Sequence, residues 1–281
     1  MNRNNIKTII AAGLVMLTLA ISCSPKNENA ATPDTSCFGD ITLSSIEDDL
    51  ILGRKIDSQI VASPKEFPIL PKAQFGKAYG HLERITNIIK NSGKVGNVDK
   101  LSWEVKIIHD DSTLNAFCTP GGYIYVYTGI IKYLDNEDDF AGVMGHEIAH
   151  ADLRHSSKAM TRQYGLAVIM DIILGKNSQS MLATIAANLS TLKNSRCHET
   201  QADENSVNYL KPTEYKCNGA ASFFEKISAA GGSGQPEFLS THPDPGSRVI
   251  SINAKATAEG CNTTKPYMDA QYAAFKNSLP K

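Results

Sequence analysis

The feature that most constrains the fold of this 281-residue chain is a pair of histidines four residues apart, His146 and His150, with Glu147 directly after the first. Asn136, three acidic residues and an apolar pattern of helical spacing precede the pair, so the motif is predicted to lie well inside a helix. Residues four apart leave the same face of a helix, so both imidazoles can bind one metal ion. Two imidazoles with a neighbouring glutamate favour zinc and a base that activates water.

A zinc ion needs a third protein ligand. Metzincins provide it as a histidine six residues after the second histidine of the motif, but Ser156 occupies that position here and Leu153 stands where the class has glycine. This excludes a metzincin. His155 would lie about 140° around a helix from His150, so we predict that it caps the helix or contacts a ligand from behind.

A later helix offers carboxylates, since Glu199 and Asp203 are four residues apart and share a face. Glu199 is the candidate third ligand, and Asp203 is the candidate acceptor that orients a metal-binding histidine. Both motifs also have an ordinary interpretation, as surface histidines and as a solvated acidic helix face. Gly142 and Gly145 favour the metal site, because they allow a second backbone to approach the motif helix closely.

The start of the chain has the layout of a secretory signal peptide, with basic residues followed by an apolar run over 9–21 that is too short to span a bilayer. Ala20-Ile21-Ser22-Cys23 resembles a bacterial lipobox, although leucine is commoner at the first position. We therefore predict a signal peptide over 1–22, a lipid on Cys23 and a polar, flexible tether over 23–40. The alternative is an ordinary cysteine near a signal cleavage site.

Hydrophobic patterning predicts two helices between residues 44 and 92, joined by a proline-bearing connection. Segments 103–108 and 115–128 are rich in β-branched and aromatic residues and are predicted as strands. Pro120-Gly121-Gly122 interrupts the second segment and predicts a turn or bulge there.

Helix is predicted again over most of 157–210 and near 220–230. The tail from Gly260 is predicted to be surface structure. The predicted catalytic domain therefore covers residues 41–258, and residues 259–281 form a C-terminal extension.

Composition limits the function classes. A 42% hydrophobic content is enough to bury a substantial core, and a net charge of −1 gives no indication of nucleic-acid binding. No two cysteines have the C-x-x-C spacing of a zinc knuckle or redox site. Cys217 with Cys261 is the favoured disulfide, because both lie in polar, turn-like surroundings.

Several ordered motifs between residues 44 and 253 resemble the HtpX-like, CAAX-prenyl-protease-type zinc peptidases, known as peptidase family M forty-eight. They are Glu47 with Leu52-Gly53, Asn115 to Gly129, His146 to His150 with Arg154-His155, Ser195-Arg196 with Glu199 to Asp203, and Ser240 to Pro243 with Arg248. The chain departs from the family at Cys197-His198, where other polar or charged residues are commoner, and at Gln201, where glutamate is frequent. It resembles the short, soluble lipoprotein branch.

The resemblance implies a mostly helical α+β zincin (gluzincin) domain, with a small antiparallel β-sheet beside the motif helix. It implies one zinc ion held by His146, His150 and Glu199, with Asp203 behind them. Glu147 would take a proton from the attacking water and pass it to the leaving amine. The implied activity is that of a zinc metalloendopeptidase acting on proteins and peptides.

His242 and Arg248 are the candidates for stabilising the oxyanion, and the sequence does not rank them. A second hypothesis places His242 in the fourth ligand position of a latent state. The resemblance also implies a lipid-anchored protein on the periplasmic side of a bacterial envelope, at the outer membrane, that removes misfolded envelope proteins and has possible envelope assembly partners. The alternative function is a latent or non-catalytic zinc-binding envelope chaperone or assembly factor.

Substrate binding is predicted at Gly122, Tyr123, Ile124 and Tyr125, because an extended peptide can add to a free sheet edge through main-chain hydrogen bonds. Tyr123, Tyr125 and Tyr127 share one face of the strand. Packing of these rings as core is an equal interpretation of the same pattern.

Overall fold

The computed structural model describes residues 44–176, 179–229, 237–242, 245–264 and 269–281. The predicted signal peptide, the lipid on Cys23 and the tether lie outside the described residues. The elements are, in chain order, α1 (Ile46–Val61), α2 (Gly76–Lys90), β1 (Glu104–Ile108), β2 (Ala116–Thr119), β3 (Tyr123–Tyr127), α3 (Thr128–Tyr133), α4 (Glu137–Asp152), α5 (His155–Tyr164), α6 (Leu166–Ile173), α7 (Gln179–Ala187), a 3-10 helix (Leu189–Thr191), α8 (Arg196–Leu210), α9 (Gly219–Ala229), α10 (Glu237–Thr241), α11 (Pro245–Glu259) and α12 (Asp269–Asn277). Across these ranges no helix combines the length and apolarity needed to span a membrane.

Local side chains determine where two of the helices begin. The Ser45 hydroxyl accepts a hydrogen bond from the Asp48 N–H at 3.0 Å, and the Asp48 carboxylate accepts one from the Ser45 N–H at 2.8 Å, which starts α1. The Asn136 side chain accepts a hydrogen bond from the Asp139 N–H at 2.9 Å and starts α4. Three acidic residues follow in the first turn of α4, where the helix dipole favours them. The predicted start of the motif helix is confirmed.

The three strands form a mixed sheet in the order β1-β3-β2. The strands β2 and β3 are antiparallel and follow each other through the predicted turn, where Gly121 and Gly122 have φ angles of 79° and 87°. The strand β1 pairs with β3 in parallel. The predicted small sheet beside the motif helix is confirmed, but it is mixed and not antiparallel throughout, because β1 joins the β2–β3 hairpin alongside β3 in the parallel direction.

The helix α4 lies at the centre of the fold and contacts α2, α8, α9 and the sheet. All sixteen of its residues are buried. One face of the sheet packs with α2 and α4 in the main core, and the other face packs with α1 in a second core. Tyr123, Tyr125 and Tyr127 belong to that second core and are at most 6% exposed, so they pack as core residues.

The last residues of the chain also enter the main core. Tyr272 and Phe275 of α12 are fully buried and pack against Phe140 of α4, with ring centroids 5.9 and 5.6 Å away. The prediction that the tail after Gly260 is surface structure is therefore wrong. A disulfide joins Cys217 to Cys261, as the sequence predicts.

Candidate metal centre

Glycines in α4 let the neighbouring helices approach the motif. A Cβ on Gly145 would lie 2.7 Å from Ser206 Oγ on α8, and a Cβ on Gly142 would overlap the backbone of Gly219 and Ala220 at the start of α9. The Ser206 hydroxyl uses this proximity to donate a hydrogen bond to the Gly142 carbonyl at 3.1 Å. The helices that carry the two sequence motifs therefore lie side by side.

Three potential metal ligands converge between α4 and α8. The Nε2 atoms of His146 and His150 are 2.9 Å apart. The Glu199 carboxylate approaches both, with Oε2 3.4 Å from His146 Nε2 and Oε1 3.3 Å from His150 Nε2. All three side chains are buried. The sequence motifs thus meet at one point in the interior.

This ligand group fits a zinc ion. Zinc bonds to nitrogen and oxygen of about 2.0–2.1 Å in a tetrahedral site place neighbouring ligand atoms about 3.3 Å apart, close to the observed separations. Burial lowers the pKa of His150 to about 3, which favours the neutral imidazole that binds metals. Although burial opposes ionisation, His242 and Arg248 hold the pKa of Glu199 well below its usual value, so it is a carboxylate.

Asp203 and Arg248 support the ligand group from behind. Asp203 Oδ1 lies 2.9 Å from His146 Nδ1, the ring nitrogen that faces away from the ligand group. Arg248 donates from Nε and Nη2 to the Asp203 carboxylate, at 2.7 and 2.6 Å, and its Nη1 lies 2.8 Å from Glu199 Oε2. Its guanidinium carbon is 4.1 Å from the centroid of the Phe224 ring. Arg248 therefore connects two carboxylates that both act on the histidines.

Glu147 lies beside the ligand group and is 1% exposed. Within the described part of the chain, its Oε1 atom has no hydrogen-bond partner. Burial, helped by the nearby Glu199 carboxylate, raises the pKa of this carboxyl to about 8, although His146 and Arg248 act in the opposite direction. A cation held by the ligand group would lower the pKa again.

His242 joins the same cluster from the end of α10. Its Nδ1 atom lies 3.2 Å from His146 Nε2 and 2.9 Å from Glu199 Oε2, and its Nε2 lies 3.7 Å from Glu147 Oε1. The Phe238 ring stacks on the imidazole at 4.2 Å. The ligand atoms of His242, His146, His150 and Glu199 all lie within 4.8 Å of one another.

The cavity at this site is small. It has a volume of about 20 Å³ and is lined by Phe117, Cys118, Glu147, His150, Ser156, Leu189, Leu192, Asn194, Thr241 and His242. The 3-10 helix and the residues after it form one wall, and the Asn194 N–H donates to the Thr241 carbonyl at 3.3 Å. The space holds one or two water molecules and no peptide.

His155 contacts the ligand His150, which it could not do if the two residues lay on one continuous helix. The helix α4 ends before Arg154, which has a φ angle of 59°, and His155 begins α5. This break brings His155 Nδ1 to 2.8 Å from His150 Nδ1, so the predicted contact from behind is present. Sequence reasoning missed Gln201, whose Oε1 lies 3.0 Å from His155 Nε2. The available signal was its place on the helix that carries Glu199 and Asp203.

The predicted substrate strand is not at a sheet edge. The strand β3, with Tyr123, Ile124 and Tyr125, is paired on both sides. Gly122 is packed closely against Leu101 and the backbone that follows it. The prediction that a peptide adds to residues 122–125 is therefore wrong, because β2 holds the outer position beside the metal centre.

Comparison with known proteins gives an independent result. The sequence model of Peptidase family M48 matches residues 81–256, which is more than half of the chain and contains the whole ligand group. The chain belongs to this family. Zinc is the metal of these peptidases, and a site with two histidines and one glutamate is that of a zincin-like domain.

Three relatives of this chain are named as proteases. The chain is 30% identical over 154 residues to the mitochondrial metalloendopeptidase OMA1 of Arabidopsis thaliana, covering 55% of this chain and 32% of that protein. It is 28% identical to the metalloprotease YcaL of Escherichia coli, covering 60% of this chain and 68% of the relative. It is 29% identical to the beta-barrel assembly-enhancing protease of Yersinia pestis, covering 60% and 38%. Two of the three relatives are thus matched over less than half of their length.

Proposed function

We propose that this protein is a zinc-dependent endopeptidase that hydrolyses peptide bonds in proteins. The observation that carries the proposal is the buried Glu147 carboxyl beside the ligand group, with an oxygen that accepts no hydrogen bond from the described residues. A buried polar atom without a partner costs about 1–3 kcal/mol. Such a group in a cleft is a candidate for catalysis, where substrate or water completes its hydrogen bonds.

The residues divide the work as follows. His146, His150 and Glu199 would hold the zinc ion, and Asp203 fixes the orientation of His146. The chemistry that zinc supplies when bound is polarisation of the peptide carbonyl and acidification of water. Glu147 takes the proton from the attacking water through its unpartnered oxygen and returns it to the leaving amine.

We assign the oxyanion role to His242 and a positioning role to Arg248. Support for the first assignment is that His242 lines the cavity with Glu147, and that the two side chains are 3.7 Å apart. Arg248 already donates to Asp203 and lies against Glu199, so its charge serves the carboxylates that hold the histidines. His242, as a neutral donor that faces the cavity, can stabilise the negative charge that develops on the oxygen of the peptide carbonyl.

The described conformation is a resting state in this proposal. A cavity of about 20 Å³ does not admit a peptide, and His242 Nδ1 lies among the ligand atoms. His242 would then be the fourth ligand at rest and would leave that position when substrate enters. Because His242 also lines the cavity, its movement away from Glu199 would enlarge the space beside Glu147.

Peptide substrates bind along β2 in this proposal. Support comes from the sheet order, which leaves β2 at the edge, and from Phe117 and Cys118, which line the cavity with Glu147. An added strand binds mainly through its backbone, so the side chains of the substrate are only weakly selected. Such recognition suits unfolded protein segments.

The place of action is proposed to be a bacterial cell envelope, with the protein anchored by a lipid on Cys23 at the periplasmic side of the outer membrane. The lipobox-like sequence supports the anchor. The beta-barrel assembly-enhancing protease, whose name refers to the assembly of other proteins, supports a role in quality control of envelope proteins. Assembly factors of the envelope are accordingly possible partners.

One observation favours a second candidate function. Together with His242, the ligand group offers four ligand atoms, and a zinc site with four protein ligands is closed, as structural zinc sites are. A protein that stays closed would bind unfolded envelope proteins without cleaving them. The intact Glu147 favours the protease.

The test is degradation of casein by the full chain in detergent, with zinc content measured for every variant. Glu147→Gln removes the base and keeps the size of the side chain, so we expect turnover to fall by a factor of about 1,000 while zinc is retained. Glu204→Gln, at an exposed position of α8, is the matched control and should cleave like the wild type. Equal activity of wild type and Glu147→Gln would refute the proposed mechanism.

His242→Ala separates the two roles of His242. Release from a resting state raises the initial rate of casein cleavage, whereas loss of oxyanion stabilisation alone lowers it about 100-fold. A wild type and a His242→Ala variant that both bind zinc but cleave casein no faster than Glu147→Gln would favour the non-catalytic alternative.

A further inference from the structure

His150 is held from both sides. Its Nε2 atom belongs to the ligand group, 2.9 Å from His146 Nε2. Its other ring nitrogen, Nδ1, lies 2.8 Å from Nδ1 of His155, which is itself fully buried. The second nitrogen of a metal-binding histidine usually donates to a carboxylate, a backbone carbonyl or water. Here the acceptor is another imidazole, which must be supported in turn.

The direction of the hydrogen bonds follows from the chemistry of the rings. A neutral His150 that binds metal through Nε2 carries its proton on Nδ1 and donates it to His155 Nδ1. His155 then carries its own proton on Nε2, which donates to Gln201 Oε1 at 3.0 Å. An amide oxygen accepts only, so Gln201 ends the series and fixes the tautomer of both rings.

The middle ring of this series is itself held in place. The His198 ring stacks on His155, with centroids 4.2 Å apart and planes 9° from parallel. The backbone turn before His155 is also fixed, because Arg154 Nε donates to the Asp49 carboxylate of α1 at 2.6 Å. Thus His198 and Gln201, at the two places where the sequence departs from its family, both act on His155.

We propose that Gln201, acting through His155, is a positioning residue that sets the zinc affinity of the site. This inference rests on the proposed zinc site. The amide oxygen of Gln201 is a weaker hydrogen-bond acceptor than a carboxylate. It therefore leaves His155 a weaker acceptor for the His150 proton than a glutamate at position 201 would. With a weaker acceptor at Nδ1, His150 binds metal less strongly through Nε2. The chain therefore holds its zinc less tightly than the same fold with that glutamate.

The structural alternative is that Gln201 and His155 merely satisfy each other in the interior. Under that alternative, replacing the amide by either alanine or a carboxylate disturbs the packing and weakens zinc binding. A positioning role predicts opposite effects for the two replacements. The sign of the Gln201→Glu effect therefore decides between the two explanations.

The experiment measures zinc affinity by competition with a chromogenic chelator, using the full chain in detergent. We expect Gln201→Ala and His155→Ala to weaken zinc binding about 10- to 100-fold, the range typical for loss of such partners. Gln201→Glu should bind zinc more tightly than wild type. Thr200→Ala, at the neighbouring exposed position, is the matched control and should bind like wild type.

A double variant tests whether the effect passes through His155. In the His155→Ala background, Gln201→Glu should give no gain, since the connection to His150 is missing. A gain that persists there would show that the added charge acts through space and would overturn the proposal. Zinc binding by Gln201→Glu that is equal to or weaker than that of wild type would also overturn the proposal. Because this test does not use Gln201→Ala, it decides the question even if Gln201→Ala does not fold.

Cobalt substitution gives a reading of ligand geometry that a packing role does not change. We expect the visible absorption bands of the cobalt protein to shift in Gln201→Ala and to return in Gln201→Glu, and unchanged bands in all variants would contradict the proposal. Failure of the zinc site itself is recognised separately, because wild type would then bind neither metal.

Discussion

The helix α4 and the pair α6 and α7 lie close in sequence but differ in how they are packed. Every residue of α4 is buried, between α2, α8, α9 and the sheet. In α6 only Ile169 and Ile172 are buried, and in α7 only Leu182, Ile185 and Ala186. These two helices pack mainly on α1 and α5. The ligand-bearing helix is thus enclosed, whereas the segment that leads from one ligand motif to the next is covered on one side only.

The difference indicates which part of the molecule fixes the metal centre. A ligand group needs side chains whose positions are held by packing on all sides, and α4 has such surroundings. The helices α6 and α7 connect α5 to α8, and none of their residues belongs to the ligand group. Four predictions test this contrast, from the largest expected effect to the smallest.

The first change is Gly142→Ala in α4. The added methyl group would overlap the backbone at the start of α9, which cannot move without separating the two helices. Because the overlap is with backbone atoms, we expect the free energy of unfolding to fall by about 5 kcal/mol, with loss of zinc binding. Urea unfolding and zinc content measure the two effects.

The control for this change is Gly80→Ala in α2. Outside the adjacent backbone of α2, no described atom lies within 4 Å of the added methyl group, so the higher helix propensity of alanine should raise the free energy of unfolding by about 0.5–1 kcal/mol. If Gly142→Ala behaved like Gly80→Ala, close packing around α4 would not be what fixes the centre.

The second change removes the disulfide between Cys217 and Cys261, which ties the start of α9 to the end of α11. The two cysteines are 44 residues apart, and loop entropy for that length gives a stabilisation of about 4 kcal/mol. We expect Cys217→Ser, Cys261→Ser and the double variant to lose similar amounts in urea unfolding. Single losses that add up in the double variant would mean that packing, and not the cross-link, is responsible.

Much of the metal centre could be predicted from sequence because its signals are local. The cap at Asn136, the spacing of His146 and His150, and the spacing of Glu199 and Asp203 each depend on a single helix. Within each motif, the helix period alone determines which side chains share a face.

The features that sequence reasoning missed depend on contacts between distant segments. The central place of β3 depends on pairing with β1, and the burial of Tyr272 and Phe275 depends on α12 meeting α4. The contact of Gln201 requires that α4 stop before Arg154, which takes a left-handed conformation with no glycine to indicate it. Period and composition carry no information on such placements.

The third prediction concerns zinc removal. Binding to the folded state alone stabilises a protein by about 2.7 kcal/mol at a ligand concentration 100 times the Kd. Hydrogen exchange should therefore slow on zinc binding in α4 and α8, which carry the ligands, and stay unchanged in α6 and α7. Equal slowing in all four helices would show that the two regions unfold as one unit, which would remove the contrast between them.

The smallest effect is expected for Leu174→Ser, just after α6. Leu174 is 61% exposed, and the carbonyls of Ile172 and Ile173 before it accept hydrogen bonds from Lys55 Nζ at 2.7 and 3.2 Å, so the end of the helix does not depend on the leucine side chain. We expect the free energy of unfolding to change by less than about 0.5 kcal/mol, with zinc affinity unchanged. Ile172→Ala, two residues earlier in the last turn of α6, removes a buried side chain and should cost about 2–5 kcal/mol. A large loss of stability or of zinc in Leu174→Ser would mean that this surface supports the centre, and that the packing of α6 and α7 is as restrictive as that of α4.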